Sequence, residues 1–301
     1  MRVREYGESR KIPAIRNHVP SFQAQEGLNR KIPITMAVSQ PSLLYLAVHL
    51  ERAEHRLSSL LRQAERFGIP IQLVPAIDGG DLTDKDLWRY DQKRRHAEFT
   101  SDLLPNEHAC ILSHCKALEV FLRSGADYGI ILEDDMALHP LFNEGIAWLT
   151  RHTSGWECIK LFNEHGSLSS LTPLMPDAPV QLVFPRKVTC VAVGNLYTRE
   201  GALRVLEGFD YYWKAYDTWW GELVIRRRIP VCGVFPSLVY TLDPENKHST
   251  IDEDCVRSCM VRDGKQGRTM RQWLMHRACS WRLSWGKWRM RTWMKRRLCI
   301  H

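Results

Sequence analysis

A chain of 301 residues with 44% apolar composition carries enough hydrophobic side chain for a full core, which excludes disorder throughout and allows one large domain or two small ones. No apolar run approaches the roughly 18 to 20 residues of a membrane span, and Arg2, Arg4, Glu5, Glu8, Arg10 and Lys11 fall where a signal peptide needs an apolar core, so the expected location is the cytoplasm. The net charge of +8 is uneven, because residues 265–301 hold eleven Lys or Arg and no Asp or Glu, leaving the remainder slightly acidic.

Residues 1–40 lack a sustained apolar period and read as a loose N-terminal arm, with Ile32 to Val38 as a short candidate strand. Leu43 to Leu50 reads as a buried strand, and Glu51 to Phe67 as a helix with Leu57, Leu60, Leu61 and Ala64 inward and Gly68 as its stop. A strand over Ile69 to Ile77 ends in the turn Asp78-Gly-Gly-Asp81, and Thr83 to His96 is polar surface helix and loop. Pro105 opens a stronger helix to Arg123, with Ile111, Cys115, Leu118 and Leu122 on one buried face and Gly125 closing it. After the next strand, Leu141 to Arg151 reads as helix, Glu157 to Phe162 as strand, Leu168 to Pro179 as loop and Val188 to Val193 as strand. Arg199 to Leu206 and Thr218 to Arg227 read as helices around the aromatic segment Phe209 to Trp220, and Val231 to Phe235 as a last short strand. Alternating strands and helices predict an α/β fold, a mostly parallel sheet flanked by helices, occupying residues 41–260.

Tyr128-Gly-Ile-Ile-Leu-Glu-Asp-Asp135 is the motif that carries chemistry: a short apolar strand ends in three consecutive carboxylates. Such acids repel one another unless a cation joins them, and oxygen ligands at the carboxyl end of a buried strand suit Mg²⁺ or Mn²⁺, which can hold the diphosphate of a nucleotide. A solvated acidic turn is the alternative. Asp78-Gly-Gly-Asp81 matches neither a dinucleotide fingerprint nor a P-loop, so phosphate would be held by metal and basic side chains. The nine cysteines, an odd number without a repeated metal-ligand spacing, read as reduced thiols, with zinc left open.

Residues 261–301 form a separate basic tail with five of the eleven tryptophans. Met270, Leu274, Trp281, Trp285 and Trp288 share one sector of a helical wheel, with Lys and Arg around much of the rest. That pattern suits a helix lying on an anionic membrane surface. The competing readings are a basic helix covering an ordinary core and a nucleic-acid-binding arm, the last being the least favoured.

Read in order, Leu46-Ala-Val-His-Leu-Glu-Arg52 with Arg56, Ile77-Asp-Gly79, Glu107-His-Ala-Cys-Ile-Leu-Ser-His114 and Ile131-Leu-Glu-Asp-Asp135 resemble glycosyltransferase family 25, which includes lipooligosaccharide galactosyltransferases. Weaker similarity continues to residue 251. The resemblance implies a glycosyltransferase-A-type fold, a UDP-sugar donor, Mn²⁺ or Mg²⁺, and inversion at the transferred anomeric carbon. His49, His55 and Ala109 depart from the residues usual at those positions, which are Asn, an acid or similar residue, and Gly.

Roles follow for individual residues. Asp135 is the leading metal ligand. Glu133 and Asp134 bind metal directly, act through water or contact the ribose, since three consecutive strand residues cannot point one way. His248 is a distant candidate ligand or an exposed loop histidine, and Lys247 a candidate phosphate contact. Arg52 and Arg56, four apart after the first strand, could fork onto phosphate or pair with a carboxylate, a purely structural role being the alternative for Arg56, and Asp78 could reach the nucleotide. Glu107 and His114 share a helix face with core residues and either position the acceptor or support the acidic strand end, with a satisfied structural histidine as the equal alternative. Inversion requires a carboxylate base, for which Asp217 is the candidate, with helix capping as the alternative. Trp219 and its aromatic neighbours would form a sugar-stacking wall or pack in the core, and Asn163 and Glu164 are further acceptor contacts.

The expected activity is transfer of a hexose, galactose by resemblance, from a UDP-sugar to a glycan or lipid-linked glycan of bacterial surface-lipid type. The enzyme would be peripheral on the inner face of the cytoplasmic membrane. The alternatives are a metal-dependent nucleotidyl or phosphoryl transferase and a non-catalytic membrane- or nucleic-acid-binding scaffold.

Overall fold

The computed structural model describes residues 40–163, 169–172, 177–184, 192–242 and 269–300. The N-terminal arm and most of the expected strand Val188 to Val193 lie outside them, as do Glu164, Lys247 and His248.

An eight-stranded sheet runs in the order β2-β1-β3-β9-β6-β10-β8-β7. Its strands are β1 (Leu43–His49), β2 (Ile71–Pro75), β3 (Tyr128–Glu133), β6 (Cys158–Lys160), β7 (Ser169–Ser170), β8 (Gln181–Phe184), β9 (Gly194–Thr198) and β10 (Val231–Phe235). Two further pairs flank it. One is β4 (Met136–Leu138) with β11 (Val239–Thr241), the other β5 (Thr153–Ser154) with β12 (Cys299–Ile300). The α/β sheet with flanking helices is as expected from the sequence. Six of its strands share one direction, but β8 and β9 run against them, so three of the seven neighbour pairs are parallel and four antiparallel. The sheet is therefore mixed. Its physical consequence is that β1, β2, β3 and β6 all deliver their carboxyl ends to one edge, although β9 separates β3 from β6.

The helices are α1 (Glu54–Phe67), α2 (Gln92–Glu98), α3 (Pro105–Ser124), α4 (Phe142–His152), α5 (Arg199–Gly208), α6 (Tyr216–Arg226) and α7 (Met270–Arg297). Leu60 and Ala64 of α1 are buried, whereas Leu61, expected inward, is exposed because it sits at the margin of the stripe. Helix α3 starts at Pro105, which loses nothing by lacking an N–H in the first turn, and stops at Gly125, whose φ of 81° is the left-handed conformation a helix C-terminus favours. Ile111, Cys115 and Leu118 are buried as predicted, against a sheet face lined by Leu46 and Ile131. Gly129 of β3 permits this close packing: a Cβ there would stand 2.5 Å from the Phe121 ring. With α3 antiparallel to β3, its first two turns lie beside the carboxyl-end edge.

The basic tail is one 28-residue helix docked on the domain by a single face. Met290 and Met294 are buried, Gln272 Nε2 donates to the carbonyls of His96 and Phe99, and Arg297 donates to the Gly155 carbonyl. No helix among the described residues is long and apolar enough to cross a membrane.

Candidate active site

The three carboxylates at the end of β3 diverge, and each meets a different environment. Glu133 turns toward α3, where His114 Nε2 stands 3.1 Å from its Oε1. A carboxylate only accepts, so this ring nitrogen carries the proton. Asp134 turns toward β1 and α1: its Oδ2 lies 2.8 Å from His49 Nδ1 and its Oδ1 accepts from Arg56 at 3.3 Å. Both its oxygens are therefore committed inside the protein, and Asp134 holds strand ends together rather than facing a donor. Among the described residues, Asp135 has Arg56 at 3.9 Å, and its Oδ1 is buried with no hydrogen-bond partner. Burial pushes its carboxyl up to about 7, reinforced by Glu133 and opposed by Arg56.

An orphaned, buried carboxylate oxygen beside a second carboxylate is a donor set that fits a hard divalent cation. Asp135 and Glu133 are the residues that would hold it. Among the described residues, the donor atoms of Cys110, His114 and Glu133 also lie within 4.8 Å of one another. Burial first, then Glu133 and Asp217, push the Cys110 thiol well above its usual value, so the thiolate a soft metal needs is disfavoured. Sequence spacing had left Cys110 as an ordinary thiol, although its i, i+4 relation to His114 was legible.

The remaining predicted residues divide sharply. Arg52 Nε donates to Asp78 Oδ2 at 2.7 Å, and Asp78 Oδ1 accepts from Gly80 N. That backbone hydrogen bond, with Arg52, holds the Asp78 carboxyl below its usual range. The two candidate donor contacts thus meet each other at the carboxyl-end edge, and both stay part-exposed. Gly79 serves close approach rather than a left-handed turn, since a Cβ would fall 2.2 Å from Asn106 Oδ1.

Glu107 accepts from the Leu104 N–H at 2.7 Å and so caps α3, and its side chain is buried. Asn163 is buried, with Nδ2 donating to the Val234 carbonyl at 2.7 Å and Oδ1 unpartnered among the described residues. Trp219 corrects the sugar-wall expectation. Its indole is 5% exposed, donates to the Gly208 carbonyl and packs 4.2 Å from the Trp213 ring, because α6 is enclosed by α3, α5 and α7 and buries side chains on most of its sides. Tyr212, Trp213 and Trp220 are buried too, whereas Tyr211 stays exposed.

Asp217 lies in the first turn of α6, at the same edge as Glu133. Its Oδ1 accepts from its neighbour Thr218 N, and Ala215 rather than Asp217 occupies the N-cap position. Burial raises its carboxyl pKa; Thr218 and the Lys160 ammonium pull it back, and Glu133 adds to the rise. Lys160, at the end of β6, was missed from sequence because a lone lysine in a strand carries no signal until β9 places it beside the acids. Tyr216 stacks on His114 with ring centroids 4.0 Å apart, which joins α6 to α3 at this edge.

Residues 45–170 match the family model described as glycosyltransferase family 25 (LPS biosynthesis protein). Over that segment the chain is similar to glycosyltransferase family 25. The family segment runs from β1 to β7 and contains Arg52, Arg56, Asp78, Glu107, His114, the three acids and Asn163, but neither Asp217 nor α7. Two relatives named glycosyltransferase 25 family member match at 29% identity over 121 residues (Anopheles gambiae) and 26% over 119 (Aedes aegypti). Each match covers 37% of this chain and 20% of the relative, so the chain spans about a fifth of the curated proteins it resembles. A solved structure of a Drosophila β1,4-galactosyltransferase 7 mutant in complex with manganese, UDP-Gal and xylobiose aligns over 78% of this chain and 79% of its own. Its identity is 10% and its TM-score 0.36, a likeness too low to bear on this chain.

Proposed function

We propose that the chain is a metal-dependent glycosyltransferase that moves a hexose, galactose, from a UDP-sugar to a lipooligosaccharide- or lipopolysaccharide-type glycan with inversion, on a glycosyltransferase-A-type scaffold. The observation that carries the reading is the buried, unpartnered Asp135 oxygen at the end of a family 25 strand, beside Glu133. A bound Mn²⁺ or Mg²⁺ would offset charge on the departing diphosphate. Arg52 and Arg56 stand at the same edge to orient the donor, and Arg56 neutralises Asp134 in the resting protein. Calorimetric titration with UDP, with and without Mn²⁺ and with ATP as control, tests the reading. Metal-dependent binding that ATP does not reproduce is the expected result; ATP binding alone would favour a nucleotidyl or phosphoryl transferase.

Asp217 is the proposed base. A carboxyl raised by burial is a stronger base than an exposed one, and the Lys160 ammonium opposes that rise. Asp217→Asn is expected to lower kcat by about 10² to 10⁴-fold with UDP affinity retained. An unchanged kcat would move the role to another carboxylate.

The proposed setting is the cytoplasmic face of an anionic membrane. Trp281 is 81% exposed, and Met270, Leu274, Trp285 and Trp288 of the same predicted stripe are exposed with it, while Met290 and Met294 face the core. Indoles and basic side chains on one helix suit a lipid–water boundary. Because α7 also packs on the domain, substitution of the exposed stripe is the informative change rather than truncation. Trp281→Ala with Trp288→Ala is expected to cut co-sedimentation with phosphatidylglycerol vesicles by about tenfold without lowering Tm, by removing two interfacial anchors. Equal sedimentation of both proteins would leave α7 as a structural helix.

A further inference from the structure

A cavity of 560 Å³ opens between the C-terminal end of α6 and α7, and none of its lining residues belongs to β3 or α3. Five arginines line it: Arg94 from α2, Arg226 and Arg228 at the end of α6, and Arg282 and Arg289 from α7. Among the described residues no acid lines it, and its apolar wall includes Ile225, Leu283 and Met290.

The charge at this place is unbalanced. Arg94 lies 3.7 Å from Glu98 and Arg226 2.9 Å from Glu222, and both acids also pair with Lys214. Two carboxylates thus stand against three cations, while Arg228, Arg282 and Arg289 have no acid within salt-bridge distance among the described residues. Arg228 also adopts φ 52° just past the end of α6, a position where glycine is the unstrained choice. The backbone tolerates a disfavoured conformation and keeps a guanidinium at the cavity.

Guanidinium groups fork onto phosphate oxygens. A free phosphate would have no use for the apolar wall, and a purely apolar ligand would strip water from five cations without replacing it. An amphiphilic phosphate satisfies both. We propose that this cavity binds one molecule of an anionic phospholipid, with its phosphate held by Arg228, Arg282 and Arg289 and its acyl chain along Ile225, Leu283 and Met290. The inference deepens the membrane reading of α7 and rests on it. Trp285 lines the same cavity and belongs to the exposed stripe, so the cavity and the membrane-directed face are continuous.

The test is isothermal titration of the full chain with dihexanoyl phosphatidylglycerol kept monomeric, with inorganic phosphate in a parallel arm. Saturable one-to-one binding of the lipid is expected, at least tenfold tighter than phosphate. Arg228→Gln with Arg282→Gln is expected to weaken it at least tenfold, and Ala278→Phe, which fills the cavity without removing charge, to do the same. Phosphate binding as tightly as the lipid would overturn the proposal, as would absent lipid binding or affinities unchanged in both variants. Vesicle sedimentation separates the two claims. If vesicles bind but the monomeric lipid does not, the cavity is rejected and the surface reading stands; if the monomeric lipid binds but vesicles do not, the surface reading is the one rejected.

Discussion

Asp135→Asn is expected to weaken Mn²⁺-dependent UDP binding and turnover at least about a hundredfold, because loss of a direct ligand exceeds the 10 to 100-fold typical of outer-shell partners. The fold should survive, since the amide is isosteric and the carboxyl it replaces makes no hydrogen bond through Oδ1. The same residue fixes a pH dependence. Its folded pKa of about 7 lies above the unfolded value near 4, so the stability it contributes to the metal-free protein is complete below about pH 4. That contribution is lost as pH rises through about 7. A divalent ion needs the carboxylate, so stabilisation by Mn²⁺ should grow over that same interval. Tm measured with and without Mn²⁺ at pH 5.5 and 7.5 is expected to differ more at the higher pH in the parent chain and to show no such growth in Asp135→Asn. Equal Mn²⁺ shifts at both pH values in the parent would remove Asp135 as a ligand.

Lys214→Met is expected to cost stability more than any surface change. Lys214 Nζ sits 2.8 Å from Glu98 and pairs with Glu222, and all three side chains are buried where α2 meets α6. Removing the cation leaves two buried carboxylates with Arg94 and Arg226 at their outer sides and the Trp213 indole N–H on Glu98, and breaking such a pair costs about 3–5 kcal/mol. For a domain of this size the fall in Tm should be on the order of 10 °C. Glu98→Gln in the Lys214→Met background should restore part of it, because the amide carries no charge to desolvate. A loss below about 1 kcal/mol, the usual worth of a solvated pair, would show that water reaches the cluster.

Nothing near Lys214 in the chain announced this network, since Glu98 lies more than a hundred residues away and becomes a partner where the segment before α2 pairs with the segment before α6, Tyr90 with Tyr212. The aromatic run misled for a related reason. Trp219 and Trp220 have the composition of a sugar platform, yet α6 is buried on most of its sides, so both rings are enclosed, Trp219 against Gly208 and Trp220 against Tyr197, and burial of a large apolar surface outweighs exposure of a ring without a ligand. The tail carried two signals at once. Its basic, Trp-rich stripe was legible from spacing and is exposed, but Met290 and Met294 on the other face dock α7, which composition alone did not reveal.

Local order is what the amino-acid sequence determined by itself. The start and stop of α3 follow from Pro105 and Gly125, whose backbone preferences act within one turn. The apolar run of β3 and the acids that end it are legible residue by residue, and four spaced blocks carry the resemblance to glycosyltransferase family 25. Tertiary structure alone decided how those acids divide. Insertion of β9 against β3 brought Lys160 to the site edge, pairing of β1 with β3 set His49 against Asp134, and α3 carried His114 to Glu133. These are contacts between groups 19 to 85 residues apart, made when apolar faces are buried. What distinguishes Asp135 from its two neighbours is the set of partners the fold brings to them, and that set is written in no single stretch of the chain.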